Sequence, residues 1–285
     1  MVKKEELIAS IKSKKELFAL DDSFVQQKID KIFRADNTVQ NKFDESKKFK
    51  QFARSKEYED LLKKIRKELR TIYGVFQEGT TKKRVQLLEK LRITKNTQEQ
   101  QKITNELLRL HTSTRERLPY YKTIYAEIVR RIQPKIIIDI GCGMNPLAYN
   151  YFVQQECRPT IIASDISKED MEFLEQCFSA LNIPGKTIAL DLITEHTKLK
   201  TLHGDVTFLF KLLDSLEEAK RYISYNIIEN ITTPWIVVSF ATKSLGGKKN
   251  ISVKGRSWFE RLLKRKNLSW ETFSVENELF YMIRQ

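Results

Sequence analysis

The stretch IIIDIGCGMNPLA, residues 136–148, constrains the fold more than any other part of the chain. A run of isoleucines broken only by Asp139 reads as a strand buried on both faces, as at the centre of a parallel sheet. Gly141 and Gly143 follow at once, and the Asn145-Pro146 pair then opens a helix, with proline suited to the first turn and Asn145 the expected cap. A strand, a glycine turn and a helix in this order set bare backbone at the carboxyl end of the strand. Open α/β sheets bind their ligands there.

The remainder of the second half repeats the grammar. Apolar runs at 135–140, 160–166, 187–192, 205–212 and 235–241 alternate with helix-like segments near 147–156, 168–181 and 216–230. This order predicts the α/β class, a mostly parallel sheet wrapped by helices. Two final runs, 270–275 and 278–283, are separated only by Glu276 and Asn277, which predicts a hairpin at one edge.

The first third is different. From Lys3 to about Thr112 there is no proline, and Gly74 and Gly79 are the only glycines. YEDLLKKIRKELRTIYGVF sets Leu61, Leu62, Ile65, Leu69 and Ile72 on one helical face and Lys63, Lys64, Arg66, Lys67 and Arg70 largely on others. Residues 1–105 are therefore expected to form a helical bundle domain, with 106–285 as the sheet domain. The bundle is the more basic part: 26 Lys+Arg against 16 Asp+Glu give +10 of the chain's +14. A basic excess concentrated in one region suits a polyanion such as nucleic acid, against the plainer reading of solvated lysine-rich faces.

Other classes are disfavoured. Cys142, Cys157 and Cys177 are too dispersed for a disulfide framework, and neither they nor His111, His196 and His203 have metal-ligand spacing, so no metal is expected. No apolar run reaches the roughly 20 residues of a membrane span. The amino-terminal segment lacks the apolar stretch and cleavage site of a secretory signal. A cytoplasmic monomer is the expectation.

The glycine loop does not continue as G-x-G-x-x-G, because Pro146 stands at the third glycine, which disfavours a dinucleotide. Asp139 before the loop, Asp165 at the end of the second strand and Asp191 at the end of the third fit S-adenosylmethionine better. Asp165 lies 22 residues beyond Gly143, where a carboxylate can accept ribose hydroxyls. For each acid the alternative is a surface or capping aspartate, and for Asp170 that is the preferred reading.

HTSTRERLPYY (111–121), DIGCGMNPLA (139–148), FKLLDSLE (210–217), VVSFATKSLGG (237–247) and NELFY (277–281) together resemble the aminoglycoside-resistance 16S rRNA methyltransferases, which modify N7 of a guanine in the decoding A site. The resemblance runs from about Tyr58 to Tyr281. It implies a Rossmann-like class I methyltransferase domain that binds S-adenosyl-L-methionine, and a helical amino-terminal domain that docks on the small ribosomal subunit. Arg117 would then pair with the methionine carboxylate, a role suited to a guanidinium fork. Gly141, Cys142, Gly143 and Asn145 would line the methionine portion, Asp165 with Ile166 the ribose, and Asp191 with Leu192 the adenine.

By the same resemblance Lys211, Ser239 and Phe240 would border the target base, and Lys243, Lys248, Lys249, Lys254 and Arg256 would touch rRNA phosphates beside the basic residues of the bundle. Asp214 and Ala241 stand where the family usually has proline. Attack by guanine N7 on the sulfonium methyl needs no general base, and the base is expected to rotate out of the folded RNA. Tyr149, Tyr151, Phe240 and Trp258 are candidates to stack on it, each with core packing as the ordinary alternative. Rival readings are methylation of another rRNA or tRNA base, such as adenine N1, and a non-catalytic rRNA-binding assembly factor.

Overall fold

The computed structural model describes residues 2–14, 17–18, 20, 22–45, 52–72, 81–243 and 256–285. The chain forms two compact units, Met1–Gln77 and Glu78–Gln285.

The first unit is helical, with helices Val2–Lys12, Asp22–Ala35, Asn37–Glu45 and Lys56–Ile72. Helical spacing fixes its core: Tyr58, Leu61, Ile65 and Leu69 on the last helix are buried together with Leu7, Ile11, Val25 and Ile29. Acidic Glu57 and Glu59 sit in that helix's first turn, where they complement its dipole. Arg66 Nη2 donates to the Ser10 carbonyl at 2.6 Å, tying it to the first helix. Lys63, Lys64 and Lys67 are exposed on the same helix, as the amphipathic pattern required.

The second unit begins earlier than the expected boundary at 105/106. Helices Thr81–Ile93 and Thr97–Arg109 bury Leu87, Leu88, Leu91, Ile103 and Leu107 in one cluster with Met171 and Phe178 of the helix Lys168–Leu181. Arg84 Nη1 meets Asp170 Oδ1 at 2.6 Å across that contact. Amphipathic periodicity shows that a helix has an apolar face, not which core receives it, so these two helices could not be allotted from sequence.

The sheet holds seven strands in the order β3-β2-β1-β4-β5-β7-β6. They span Ile136–Ile140 (β1), Thr160–Asp165 (β2), Gly185–Ala189 (β3), Val206–Phe210 (β4), Trp235–Ala241 (β5), Ser269–Val275 (β6) and Glu278–Arg284 (β7). β1 to β5 are parallel; the β6–β7 hairpin adds antiparallel through β7 on β5. Alternation along β4 divides the core: Phe208 packs into the cluster on one face and Leu209 into the cluster on the other.

Three elements differ from the expectation in instructive ways. β3 ends at Ala189 rather than running to 192, because Asp191 caps the short helix Leu192–Glu195 and turns the chain. The segment 216–230 is two helices, Leu213–Ala219 and Ile223–Asn230, separated at Tyr222, whose φ is +66°. The proline after the glycine loop opens a 3-10 turn, Asn145–Tyr149, whose cap residue is Met144. Asn145 does not cap it; its side chain is committed to the site described below.

Leu209 is fully buried in the central strand β4. Leu209→Ala is predicted to cost about 2–5 kcal/mol, the range for a large-to-small change in a closed core. Urea unfolding with an unchanged m-value checks it; a loss under 1 kcal/mol would contradict the packing described.

Candidate functional site

The carboxyl ends of β1, β2 and β4 converge with the start of β7, since β7 runs antiparallel and pairs Glu278 with Ala241 at the end of β5. The loop after β1 turns through Gly141 at φ +61° and Gly143 at φ +50°. A Cβ on Gly141 would lie 2.6 Å from Leu212 Cδ1, and one on Gly143 2.7 Å from His111 Nε2. Only glycine combines this backbone with those close neighbours.

The loop is stitched to β2. Cys142 N–H donates to the Ser164 carbonyl at 3.0 Å, and Gly143 N–H to Asp165 Oδ2 at 2.8 Å. Asp165 Oδ1 accepts from the Ile166 N–H at 2.7 Å. These bonds, with a further one from the Ser167 N–H, fix the carboxylate plane and still leave a lone pair. Burial pushes the Asp165 carboxyl up to about 6, against the stabilising bond from Gly143.

Asp139 is buried beneath the same loop. Its Oδ2 accepts from Asn145 Nδ2 at 2.7 Å, while its Oδ1 has no hydrogen-bond partner among the described residues. Burial lifts this carboxyl to about 7, outweighing Asn145 and Arg117. A buried carboxylate with one free oxygen beside a glycine turn is suited to a positively charged ligand.

Asn145 passes the network on. Its Oδ1 accepts from Arg117 Nη1 and from the Tyr121 hydroxyl, each at 3.0 Å. Arg117 is 1% exposed and forks onto Glu278, Nε to Oε2 at 3.0 Å and Nη2 to Oε1 at 3.0 Å, with its guanidinium 5.0 Å from the centre of the Phe210 ring. Three of its five N–H donors are thus taken by protein groups. Glu278 is fully buried and also accepts from the Ser239 hydroxyl. Burial alone would raise the Glu278 carboxyl, but Arg117 and Lys211 outweigh it and hold the group below the usual carboxylate range.

Several expected site residues are held by partners within the protein. Lys211 stands at the end of β4 with φ +52°, but its Nζ is held by Glu116 at 2.8 Å and Glu278 at 3.4 Å. Ser239 is buried on Glu278. Phe240 is core, not a surface for a base: it is 1% exposed and meets Trp258, Phe259 and Tyr281 edge-on. Arg256 is not a free cation either. It bridges Asp214 Oδ1 at 2.7 Å and the Ala241 carbonyl at 3.1 Å, 4.5 Å from the centre of the Phe240 ring, so the acid at 214 has a structural partner.

Asp191 accepts from Ile193 N–H and the Thr194 hydroxyl, at 2.8 and 2.9 Å, and so acts as a cap, with Leu192 buried behind it. Asp170 is the anchor for Arg84, while Ser167 does the capping. Tyr151 stacks on Tyr121 at 5.5 Å. Lys243 pairs with Glu276 at 2.7 Å. Lys248, Lys249, Lys254 and the Arg70 side chain lie outside the described residues.

Glu278, Glu116, Tyr121 and His111 were not singled out as site residues by the sequence reading. Glu278 carried a signal: an acid opening an otherwise apolar final strand, in a hairpin whose antiparallel entry brings it to the ligand-binding edge. His111 and Tyr121 arrive from helices ahead of the sheet, a placement that no periodicity encodes.

The model of the ribosomal RNA methyltransferase (FmrO) family matches residues 48–282. A 16S rRNA (guanine(1405)-N(7))-methyltransferase of Micromonospora echinospora is 31% identical over 231 residues, 79% of this chain and 83% of that protein. Another of the same description, from Frankia casuarinae, is 32% identical over 180 residues, 62% of each chain. The crystal structure of the 16S rRNA methyltransferase RmtF in complex with S-adenosyl-L-homocysteine shares the fold, with a TM-score of 0.71 at 22% identity over 99% of this chain and 98% of that one.

Glu278→Gln would strand Arg117 in the interior, and is predicted to cost about 3–5 kcal/mol in urea unfolding. The sign with pH follows from the lowered carboxyl. Its stabilisation is complete above the unfolded value of about 4.3 and is lost as pH falls through the folded value. Wild type should therefore lose stability on the acid side more steeply than the Gln variant. Parallel acid profiles would contradict the ionised pair.

Proposed function

The chain belongs to the ribosomal RNA methyltransferase (FmrO) family, and from that premise we propose that it transfers a methyl group from S-adenosylmethionine to N7 of a guanine in the decoding A site of 16S rRNA, within the small ribosomal subunit. One observation carries this reading. The match to a guanine-N7 methyltransferase spans 83% of that relative, and the glycines and carboxylates that such a cofactor requires meet at one edge of the sheet.

The residues fit the cofactor. The free Oδ1 of Asp139 offers an anion to a cationic ligand, and Gly141 and Gly143 present backbone without side chains. S-adenosylmethionine supplies an electrophilic methyl on a positively charged sulfur. Asp165, held by the backbone N–H groups of Gly143, Ile166 and Ser167, would take the ribose hydroxyls with its remaining lone pair. The Leu192 backbone and side chain would border the adenine, with Asp191 shaping the turn as its cap. Arg117 would offer a ligand carboxylate its positive charge, and it also positions Asn145 and through it Asp139.

Guanine N7 carries an available lone pair and loses no proton when methylated, so the reaction asks for placement and charge stabilisation rather than a base. His111 beside the loop therefore needs no role in proton transfer. In folded RNA the N7 edge lies in a deep, narrow groove, so the base would be rotated out to reach the site. Lys63, Lys64, Lys67 and Arg70 of the helical unit would contact phosphates of the assembled subunit by counterion release. Methylated guanine gains a positive charge and loses an acceptor, either of which weakens a bound cationic aminoglycoside.

The test is labelled methyl transfer to intact small subunits and to naked 16S rRNA, mapped by primer extension after borohydride–aniline cleavage. Incorporation with cleavage at the decoding-site guanine, on subunits only, is expected. Incorporation without that cleavage would discard the guanine N7 assignment, and no incorporation on either substrate would discard the enzyme on rRNA.

A further inference from the structure

A second concave site lies in the sheet-bearing unit, behind the turn that follows the glycine loop. It is a cavity of about 360 Å³ between the Thr97–Arg109 helix, the turn and short helix after β1, and the end of the Lys168–Leu181 helix. Its volume is within the range of small-ligand pockets. Arg158 and Asn182 on its wall precede β2 and β3, so it opens at the amino ends of the strands. Leu147 and Tyr149 on its wall belong to the turn that follows the glycine loop, but none of Asp139, Gly141, Gly143, Asp165, Arg117 and Glu278 lines it, so the two sites share no lining residue.

The lining has an unusual chemistry. Gln100, Gln101, Asn150 and Asn182 contribute four carboxamides, and no carboxylate lines the cavity. Gln101 is consumed internally: it accepts from Asn150 Nδ2, and its Nε2 donates to Asn105 Oδ1 at 2.8 Å. Gln100 Nε2 donates to the Thr94 carbonyl at 2.8 Å. Among the described residues, no hydrogen bond reaches Gln100 Oε1, Asn150 Oδ1 or the Asn182 carboxamide. These groups offer donors and acceptors side by side, the pattern that reads the edge of an unpaired base.

The other surfaces complete a nucleotide site. Leu147, Val153 and Ile183 give an apolar wall, and the half-buried Tyr149 ring adds an aromatic one. Arg158 is exposed, near enough to Tyr149 to act on its phenol electrostatically, and no carboxylate among the described residues pairs with it. An unneutralised guanidinium on a carboxylate-free polar cavity suits a phosphate.

We infer that this cavity accepts an unpaired nucleotide of the RNA substrate at a position other than the methylated base, with its base edge on the carboxamides and its phosphate at Arg158. The inference rests on the reading that the substrate is rRNA. It adds a second anchoring point on the sheet-bearing unit, so recognition would not depend on the basic helical unit alone. Two separated anchors would fix the register of the RNA over the cofactor site.

Arg158→Glu and Asn150→Leu test it, with Lys200→Glu, an exposed charge reversal outside the cavity, as the control. Steady-state methyl transfer to intact small subunits and calorimetric S-adenosylmethionine affinity are measured on each. The expected result is a rise in KM for subunits of roughly tenfold in both cavity variants, as loss of a phosphate or base contact gives. kcat, cofactor affinity and the control should not change. An unaltered KM in Arg158→Glu, whose exposed side chain leaves folding untouched, would overturn the inference, as would an equal rise in the control. An inactive wild type with intact cofactor binding would sink the rRNA reading itself, whereas an active wild type with unaffected variants sinks only the cavity.

Discussion

The buried ion pair between Arg117 and Glu278 is the interaction on which the rest of the site depends. Desolvating both charges is costly, and the cost is offset only because the fork is bidentate and each partner has further bonds. Through it the Thr112–Arg117 helix, the start of β7 and the loop after β1 are fixed to one another. Asn145 then carries the restraint to Asp139. Removing any member exposes the others to an uncompensated charge in a dry interior. The positions of the loop glycines and of the two loop carboxylates follow from this arrangement.

The electrostatics suit methyl transfer to a base nitrogen. Cations at the site are internally neutralised: Arg117 and Lys211 by Glu278, Arg256 by Asp214. What is left without a cationic partner is acidic, Asp139 with its free oxygen and Asp165 on its backbone N–H groups. Such a site attracts a positively charged group and offers no activated nucleophile of its own. Exposed cationic charge lies instead on the helical unit, at lysines such as Lys63, Lys64 and Lys67.

The sheet was legible because its strands announce themselves. Uninterrupted isoleucine and valine runs mark strands buried on both faces, and the Glu276-Asn277 link marks the hairpin. The glycine loop and Asp165 were likewise found from spacing alone. The burial of Phe240 and Arg256 was not legible, because an aromatic and a basic residue near a strand end look the same whether they face solvent or a neighbouring helix. Here Phe240 packs under Arg256 within an aromatic cluster. Asp191 and Asn145 show a related limit. Asp191, read for a cofactor contact, caps a short helix, and Asn145, read as a cap and as a cofactor residue, bonds Asp139, Arg117 and Tyr121. The unit boundary was hidden for a third reason, since the helices at 81–109 carry the same periodicity as those before them.

Asp139 stands with one free oxygen, and a carboxyl lifted to about 7, where the cationic cofactor would come. The most direct measurement is calorimetry of S-adenosylmethionine binding at pH 7 in buffers of different ionisation enthalpy, on wild type and Asp139→Asn. A nearby positive charge pulls the carboxyl down, so wild type should release roughly half a proton more than the variant on binding. Identical protonation changes in the two proteins would contradict the assignment of Asp139 to the cofactor's charge.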